Sequence, residues 1–472
     1  MMKSKNLMRL LFTIVIGLSV MNIHVTGVYS ATSQFKGVNW ADSRDNFVDG
    51  VLYVSGLSST DTYSSASTVA DRVISGIMSL TGSNSVRMPI NEVTVSSYWS
   101  TYTGAIDKAL EKGKVILCYW AYSGGKPANT TAFWNMWTTV VSRYGSNSNC
   151  YFEPINEPYG YSATDLCNLY YTWITNYSSV PQSRVILDGS GYAQNVSNVG
   201  GDSRLSNCLL AVHDYSFFVS DPYRTEGEWQ NHLAGYVGSY ASRTVCTEWG
   251  YPNSPGTKNG VSYDYIDYNA TSSSTFFYYY CRGLSNQLRG LGMGSFYWPG
   301  LRDGDWYSMT TKSGSGSNIA LSISNASGLF RLKYAWGDNG IKIKNVATGL
   351  YLDSMGRTAD GSNAGQYGSS SGDNQQWAIE GAGSYVKIKN RASGQYLDGC
   401  GRTADGSICA QYSSSSSSNQ QWTQEISGSY VKFKNRTTGL YLDGAGVTLN
   451  GSDLKQYSSS SSNNQKWAVV VP

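Results

Sequence analysis

The sequence predicts an α/β chain in two parts: a (β/α)8 TIM barrel followed by an all-β unit made of three repeats. Two observations predict it. Between Gln34 and about Gly337, short apolar runs alternate with amphipathic helical stripes, and there are eight such runs. From residue 339 onward a pattern of short alternating segments returns every 45 residues, as at Tyr351, Tyr396 and Tyr441. A length of 472 residues suits two or three domains rather than one.

The chain opens with Lys3, Lys5 and Arg9, then an apolar run from Leu10 to about Val25, then Tyr29-Ser30-Ala31. That is the charged, apolar and small-residue order of a secretory signal, so residues 1–30 are expected to be a signal peptide and the protein to be extracellular. A membrane span needs about twenty apolar residues, and this run is shorter and contains Thr13, Gly17, Ser19 and Asn22. Without residues 1–30 the formal charge of +3 falls to about zero. Such a balance gives no reason to expect nucleic acid or anionic lipid as partner. The remaining domains are expected at 31–337 and 338–472, in a monomer.

Tyr (37), Trp (14) and Gly (51) are abundant, and only 14% of residues are charged, which argues against disorder and supplies rings of the kind that stack on sugars. The eight cysteines include no Cys-x-x-Cys pair, and past the signal only His213 and His232 remain, so neither a zinc site nor any other metal or cofactor is expected. Cys400 and Cys409 close a short loop and are the one expected disulfide.

In chain order the expected strands are Phe35–Trp40, Ser85–Pro89, Lys114–Tyr119, Cys150–Pro154, Arg184–Asp188, Leu209–His213, Arg243–Glu248 and Gly292–Trp298. Between them lie stripes such as Phe133, Trp137, Val140, Val141 and Tyr144, or Leu166, Leu169, Tyr170, Trp173 and Tyr177. A doubly wound open sheet is the alternative, but no Gly-x-Gly-x-x-Gly follows the first strand. The barrel reading gathers polar residues at the C-terminal strand ends, where barrels keep their chemistry: Arg87, Asn156 and Glu157, His213 and Tyr215, Glu248, and Trp298. Two glutamates on two strand ends are what a glycosidase needs, one to protonate the leaving oxygen and one to face the anomeric carbon. If Arg87 lies beside Glu248, that carboxylate is the ionised one and Glu157 keeps its proton. Glu153 reads as a paired charge inside the barrel. Asp188 and Asp214 could bind substrate hydroxyls, and Trp40, Trp120, Tyr192 and Tyr297 could be stacking platforms.

The set Val86-Arg87-Met88-Pro89, Asn156-Glu157-Pro158, His213-Asp214-Tyr215, Thr247-Glu248-Trp249-Gly250 and Trp298 resembles glycoside hydrolase family 5 over about residues 35–336. The resemblance implies that Glu157 is the acid/base, Glu248 the nucleophile, and Arg87 and Tyr215 its partners. It further implies that Asn156 binds the sugar 2-hydroxyl, His213 lines the catalytic subsite and Trp298 floors it. Members commonly carry a His after the third strand. Here the chain reads Cys118-Tyr119-Trp120, so Tyr119 or Trp120 fills that space and the substrate is in question more than the mechanism.

In the second part, Asn374-Gln375-Gln376-Trp377, Asn419-Gln420-Gln421-Trp422 and Asn464-Gln465-Lys466-Trp467 repeat in step with the Tyr-Leu-Asp motifs. The Gln-x-Trp endings resemble the ricin-type β-trefoil, carbohydrate-binding module family 13, across all of 339–472. That resemblance implies a structural role for the three tryptophans. It places sugar contacts at Asp353, Tyr367 and Asn374, at Asp398, Tyr412 and Asn419, and at Asp443, Tyr457 and Asn464. The expectation is a retaining hydrolase of β-linked plant-type polysaccharide, hemicellulose before cellulose, with cell-wall carbohydrate as its partner. An exo-acting enzyme and an inactive sugar-binding barrel are the alternatives.

Overall fold

The computed structural model describes residues 32–470 apart from 123, 271, 338–339, 371, 383–384 and 428–429. The expected signal peptide, and residues 338–339 at the expected domain boundary, lie outside the described residues. Among the described residues no helix is long and apolar enough to cross a membrane.

Eight parallel strands form the first part: β1 (Lys36–Trp40), β2 (Ser85–Ile90), β3 (Lys114–Tyr119), β4 (Cys150–Glu153), β5 (Ile186–Asp188), β6 (Leu209–Asp214), β7 (Thr244–Trp249) and β8 (Ser295–Leu301). They run in the order β4-β3-β2-β1-β8-β7-β6-β5, and a bridge between Phe152 and Val185 joins the two ends. All eight expected strands exist, and the last begins later than expected, at Ser295.

Helices separate the strands, and two of them, Thr130–Tyr144 and Ala163–Asn176, form on the expected apolar stripes. Tyr63–Thr81 starts at Thr62, whose hydroxyl caps Ser65, buries Val69, Val73, Ile74 and Ile77 on one face, and ends at Gly82 in the left-handed region. Thr130–Tyr144 buries Phe133, Trp137, Val140 and Tyr144 against the strands, and Ala163–Asn176 buries Leu166, Tyr170 and Trp173.

Strand alternation sorts the side chains into an outer layer under the helices and an interior. The interior is stacked by chemistry. At the bottom lie Phe35, Ile116, Tyr151, Ile186, Leu209, Val245 and Phe296, all apolar. Gly37 makes room for them, since a Cβ there would sit 2.1 Å from the Phe296 ring. Above them come the polar Asn39, Arg87, Glu153, Asp188, His213 and Thr247, all buried. Ala41, Cys118, Trp120, Tyr215 and Trp298 close the top.

The second part is an all-β trefoil of three repeats. Its core is threefold: Ile343, Ile388 and Phe433; Leu352, Leu397 and Leu442; Ala364, Cys409 and Leu454; Trp377, Trp422 and Trp467. Each Trp donates its indole N–H to a leucine carbonyl in the same repeat, Leu352, Leu397 or Leu442, at 2.9, 3.1 and 3.0 Å. Buried glutamines cross between repeats. Gln366 donates to the Gly444 carbonyl, Gln411 to Ser354 and Gln456 to Gly399, each at 3.0 Å. A repeat standing alone would leave those amides without acceptors, so the three must fold together. The first strand, Lys342–Asn345, pairs with the last, Trp467–Val470, so the chain's end is tied to the unit's beginning.

Cys400 and Cys409 are both free, so the expected disulfide is not formed. Position 409 is the core position that Ala364 and Leu454 fill in the other repeats, and the Cys409 thiol is buried there. Cys400 stands in a left-handed turn at φ 58°, with its thiol directed at the Asp398 carbonyl 3.6 Å away.

Candidate active site

Arg87, on β2, is the hub. Its Nε and Nη2 donate to the two oxygens of Glu153 at 2.6 and 2.9 Å, and Nη2 also donates to Asn156 Oδ1 at 2.6 Å. Its Nη1 donates to Glu248 Oε1 at 2.5 Å and to Asn39 Oδ1 at 2.9 Å. All five N–H bonds of the guanidinium therefore find oxygen. Asn39 is held in turn by the carbonyls of Thr247 and Tyr297.

Glu248 reaches this hub through a defect in β7. The pairing with β6 slips between Val212 and His213, so that His213 faces Glu248 rather than Thr247. An extra residue in one strand lets two successive side chains, Thr247 and Glu248, both turn inward. Glu248 Oε2 accepts the Tyr215 hydroxyl at 2.9 Å. Glu157 comes from the segment that follows β4, with a left-handed backbone (φ 46°) and its N–H donated to Asp188 Oδ2 at 2.9 Å.

His213 links the two glutamates. Its Nδ1 is 3.0 Å from Glu157 Oε1 and 3.7 Å from Glu248 Oε2, and its Nε2 is 3.0 Å from Thr247 Oγ1. One oxygen from each glutamate and a nitrogen of His213 all lie within 4.8 Å of one another, and all three residues are buried. Burial sets the protonation here. It pushes the Glu157 carboxyl well above its usual range, with Glu248 adding repulsion. It also holds the His213 ring neutral, helped by the Arg87 charge. Glu248 is pushed up to about 7 by burial, against the pull of Arg87 and the Tyr215 hydrogen bond. Arg87 alone was expected to keep it fully ionised. Because that guanidinium is shared with Glu153, desolvation wins in part, and Glu248 is left as the more acidic of the two.

The aromatic residues divide by strand parity. Trp120 faces the pocket, stacked on Trp298 with ring centres 5.4 Å apart and lying under the Arg87 guanidinium at 5.5 Å. It is Trp120, then, that fills the space after β3. Tyr119 is not a pocket residue: it points outward, packs on Phe133 and donates its hydroxyl to Glu92 at 2.7 Å. Trp40 is likewise turned outward into the helical layer, where its indole donates to the Ser55 carbonyl at 2.9 Å. Both carry the parity opposite to their inward neighbours Cys118 and Asn39. The Asn156 amide nitrogen is buried without a hydrogen-bond partner among the described residues, a donor free for a ligand hydroxyl. Sequence reasoning missed Asn39 and Thr247. Alternation along β1 and β7 would have pointed both inward.

In the trefoil, Asp353, Asp398 and Asp443 each accept the backbone N–H two residues on, at 2.6, 2.6 and 2.7 Å. Asn374, Asn419 and Asn464 lie over the turns that follow, against Gly356, Gly401 and Gly446. Each repeat thus brings its Asp and Asn to one turn. The rings are less alike. Tyr367 is 42% exposed, whereas Tyr412 and Tyr457 are partly covered, with their hydroxyls set against Gly361 and Gly406 of the preceding repeat.

The family described as Cellulase (glycosyl hydrolase family 5) matches residues 56–282, and the family described as Ricin-type beta-trefoil lectin domain-like matches 326–412 and 418–472. No curated protein matches the chain. Among solved structures, a designed threefold-symmetric protein, ThreeFoil, is 38% identical over 28% of this chain and 98% of its own, with a TM-score of 0.27. The Rhizoctonia solani agglutinin is 24% identical over 28% of this chain and 95% of its own (TM-score 0.26). XacCel5A in complex with cellopentaose is 14% identical over 64% of this chain and 99% of its own (TM-score 0.43). The chain is thus a glycoside hydrolase that carries a glycosyl hydrolase family 5 domain at residues 56–282 and, behind it, a ricin-type β-trefoil lectin domain.

Proposed function

We propose that the enzyme is secreted behind the signal at residues 1–30 and cleaves β-linked plant-type polysaccharide with retention of configuration, hemicellulose in preference to cellulose. The observation that carries the mechanism is the approach of the Glu157 and Glu248 carboxyl oxygens to within 4.8 Å across His213. Retaining enzymes hold their carboxyl pair about 5–5.5 Å apart, whereas inverting ones leave about 6.5–9.5 Å for a water. Glu248, the more acidic, attacks the anomeric carbon. Glu157 gives its proton to the departing glycosidic oxygen, then takes one from the water that breaks the glycosyl ester and frees Glu248. The free Asn156 amide nitrogen is placed to donate to the sugar 2-hydroxyl, a bond that strengthens as positive charge grows on the ring. The preference for hemicellulose rests on the trefoil's resemblance and on Trp120, whose bulk fills the space left after β3.

The test is hydrolysis of a panel of xylan, mannan, galactan, mixed-linkage glucan and cellulose by wild type, Glu157→Gln and Glu248→Gln. Each substitution should lower kcat on the preferred polymer by about 10³-fold. Glu157→Gln should lose least on aryl glycosides whose leaving group needs no proton. A first-formed product of inverted configuration, read by NMR, would overturn the two-step scheme.

A further inference from the structure

Asp188 ends β5 behind Glu157 and is wholly buried. Its two oxygens do different things. Oδ2 accepts the backbone N–H of Glu157 at 2.9 Å. Oδ1 is buried without a hydrogen-bond partner among the described residues. A carboxyl oxygen of Asp188 nevertheless lies within 4.8 Å of one of Glu153, and both lie as close to a nitrogen of His213. Two carboxylates cannot bond to each other without a donor, so an orphaned oxygen beside a second carboxyl marks where a proton belongs. The other groups facing Asp188 are the Arg87 guanidinium and the Cys118 thiol, and Tyr170, whose hydroxyl donates to the Asp188 carbonyl at 3.0 Å. Arg87 is already bound to both Glu153 oxygens.

We propose that Asp188 is a positioning residue for Glu157: one oxygen fixes the Glu157 backbone in its left-handed turn, and the other carries a proton toward Glu153. Burial and the charge of Glu153 favour the neutral form of Asp188. The neutral carboxyl adds no charge beside the active pair, and it relieves Glu153 without drawing on Arg87. The left-handed conformation is costly for a glutamate, and the Asp188 acceptor is what holds it. The inference rests on the acid/base role proposed above for Glu157.

Asparagine at this position copies a protonated aspartate, with an oxygen for the Glu157 N–H and an N–H₂ for Glu153. Asp188→Leu can do neither. Asp188→Leu should therefore lower kcat about ten- to a hundredfold with KM little changed, because the acid/base is misplaced while the subsites remain. Asp188→Asn should rescue most of that loss and leave the alkaline limb of the kcat/KM profile in place. If Asp188 were ionised instead, its removal as an anion would let Glu157 lose its proton more readily, and the Asp188→Asn limb would move to lower pH by about a unit. That shift, or equal rates for the two variants, would overturn the inference; Asp188→Asn, being isosteric, keeps the test open if Asp188→Leu does not fold. Full activity in Glu157→Gln would sink the acid/base reading by itself. An inactive Glu157→Gln with equal Asp188 variants would sink only the positioning.

Discussion

Glu248 sits where burial and a guanidinium pull against each other, and the Tyr215 hydroxyl tips the balance toward the anion. Catalysis by the proposed route needs Glu248 ionised, so its titration sets the acid limb of kcat/KM. Tyr215→Phe removes a donor to the charged form, which raises the carboxyl further, and the limb should move to higher pH. A single hydrogen bond to a charged group is worth about 1.5–3 kcal/mol, which corresponds to about one to two pH units. A profile that keeps its acid limb in place would show that the hydroxyl does not set the titration. The aromatic assignments give a second residue-level test. Because the Trp40 indole is bonded to the Ser55 carbonyl in the helical layer, Trp40→Phe should leave KM for polymer as it is. It should lower unfolding free energy by about 1–3 kcal/mol, measured in urea.

At the scale of elements, the barrel was legible because each strand is a short apolar run bounded by breakers, and each helix a 3.6-residue stripe. The rim was only half legible. Arg87, Asn156, Glu157, His213, Tyr215, Glu248, Trp120 and Trp298 do meet, but Trp40 and Tyr119 do not, because a strand end offers two faces and composition does not say which is taken. Parity would have said so: Cys118 pairs with the inward Glu153, which fixes Trp120 inward and Tyr119 outward. The slip in β7 is different in kind, since nothing in Thr247-Glu248-Trp249 announces that two neighbours will share a face. The disulfide expectation failed on a signal that the repeats do contain. Forty-five residues either side of Cys409 stand Ala364 and Leu454, a row of core residues. One element-level prediction follows from the bottom layer. Gly37→Ala would press a methyl into the Phe296 ring, and overpacking of this kind costs about 1–3 kcal/mol, read as a lower urea midpoint with an unchanged slope.

At the scale of the whole molecule, the helix Ala326–Ala335 joins the two parts. Arg331 on it donates to Ser285 and Asn286 in the helix Phe276–Leu291 between β7 and β8, while Tyr334 packs into the trefoil core with Ile341. A truncation after the barrel would strip this helix of its trefoil contacts and confuse lost binding with lost stability. Point changes in the trefoil turns avoid that difficulty. If the three Asp–Asn turns act as weak sites on one rigid unit, their contributions to holding a polymer multiply through effective concentration. Single changes, Asp353→Asn, Asp398→Asn or Asp443→Asn, should then lower retention on insoluble polysaccharide several-fold. The triple change should reduce it by about 10²-fold or more, while hydrolysis of short soluble oligosaccharides stays at the wild-type rate. Tyr367 is the most open of the three rings, so the Asp353 change should cost most. Equal loss on soluble and insoluble substrates would place the trefoil's effect in the catalytic step, and the anchoring role would fall.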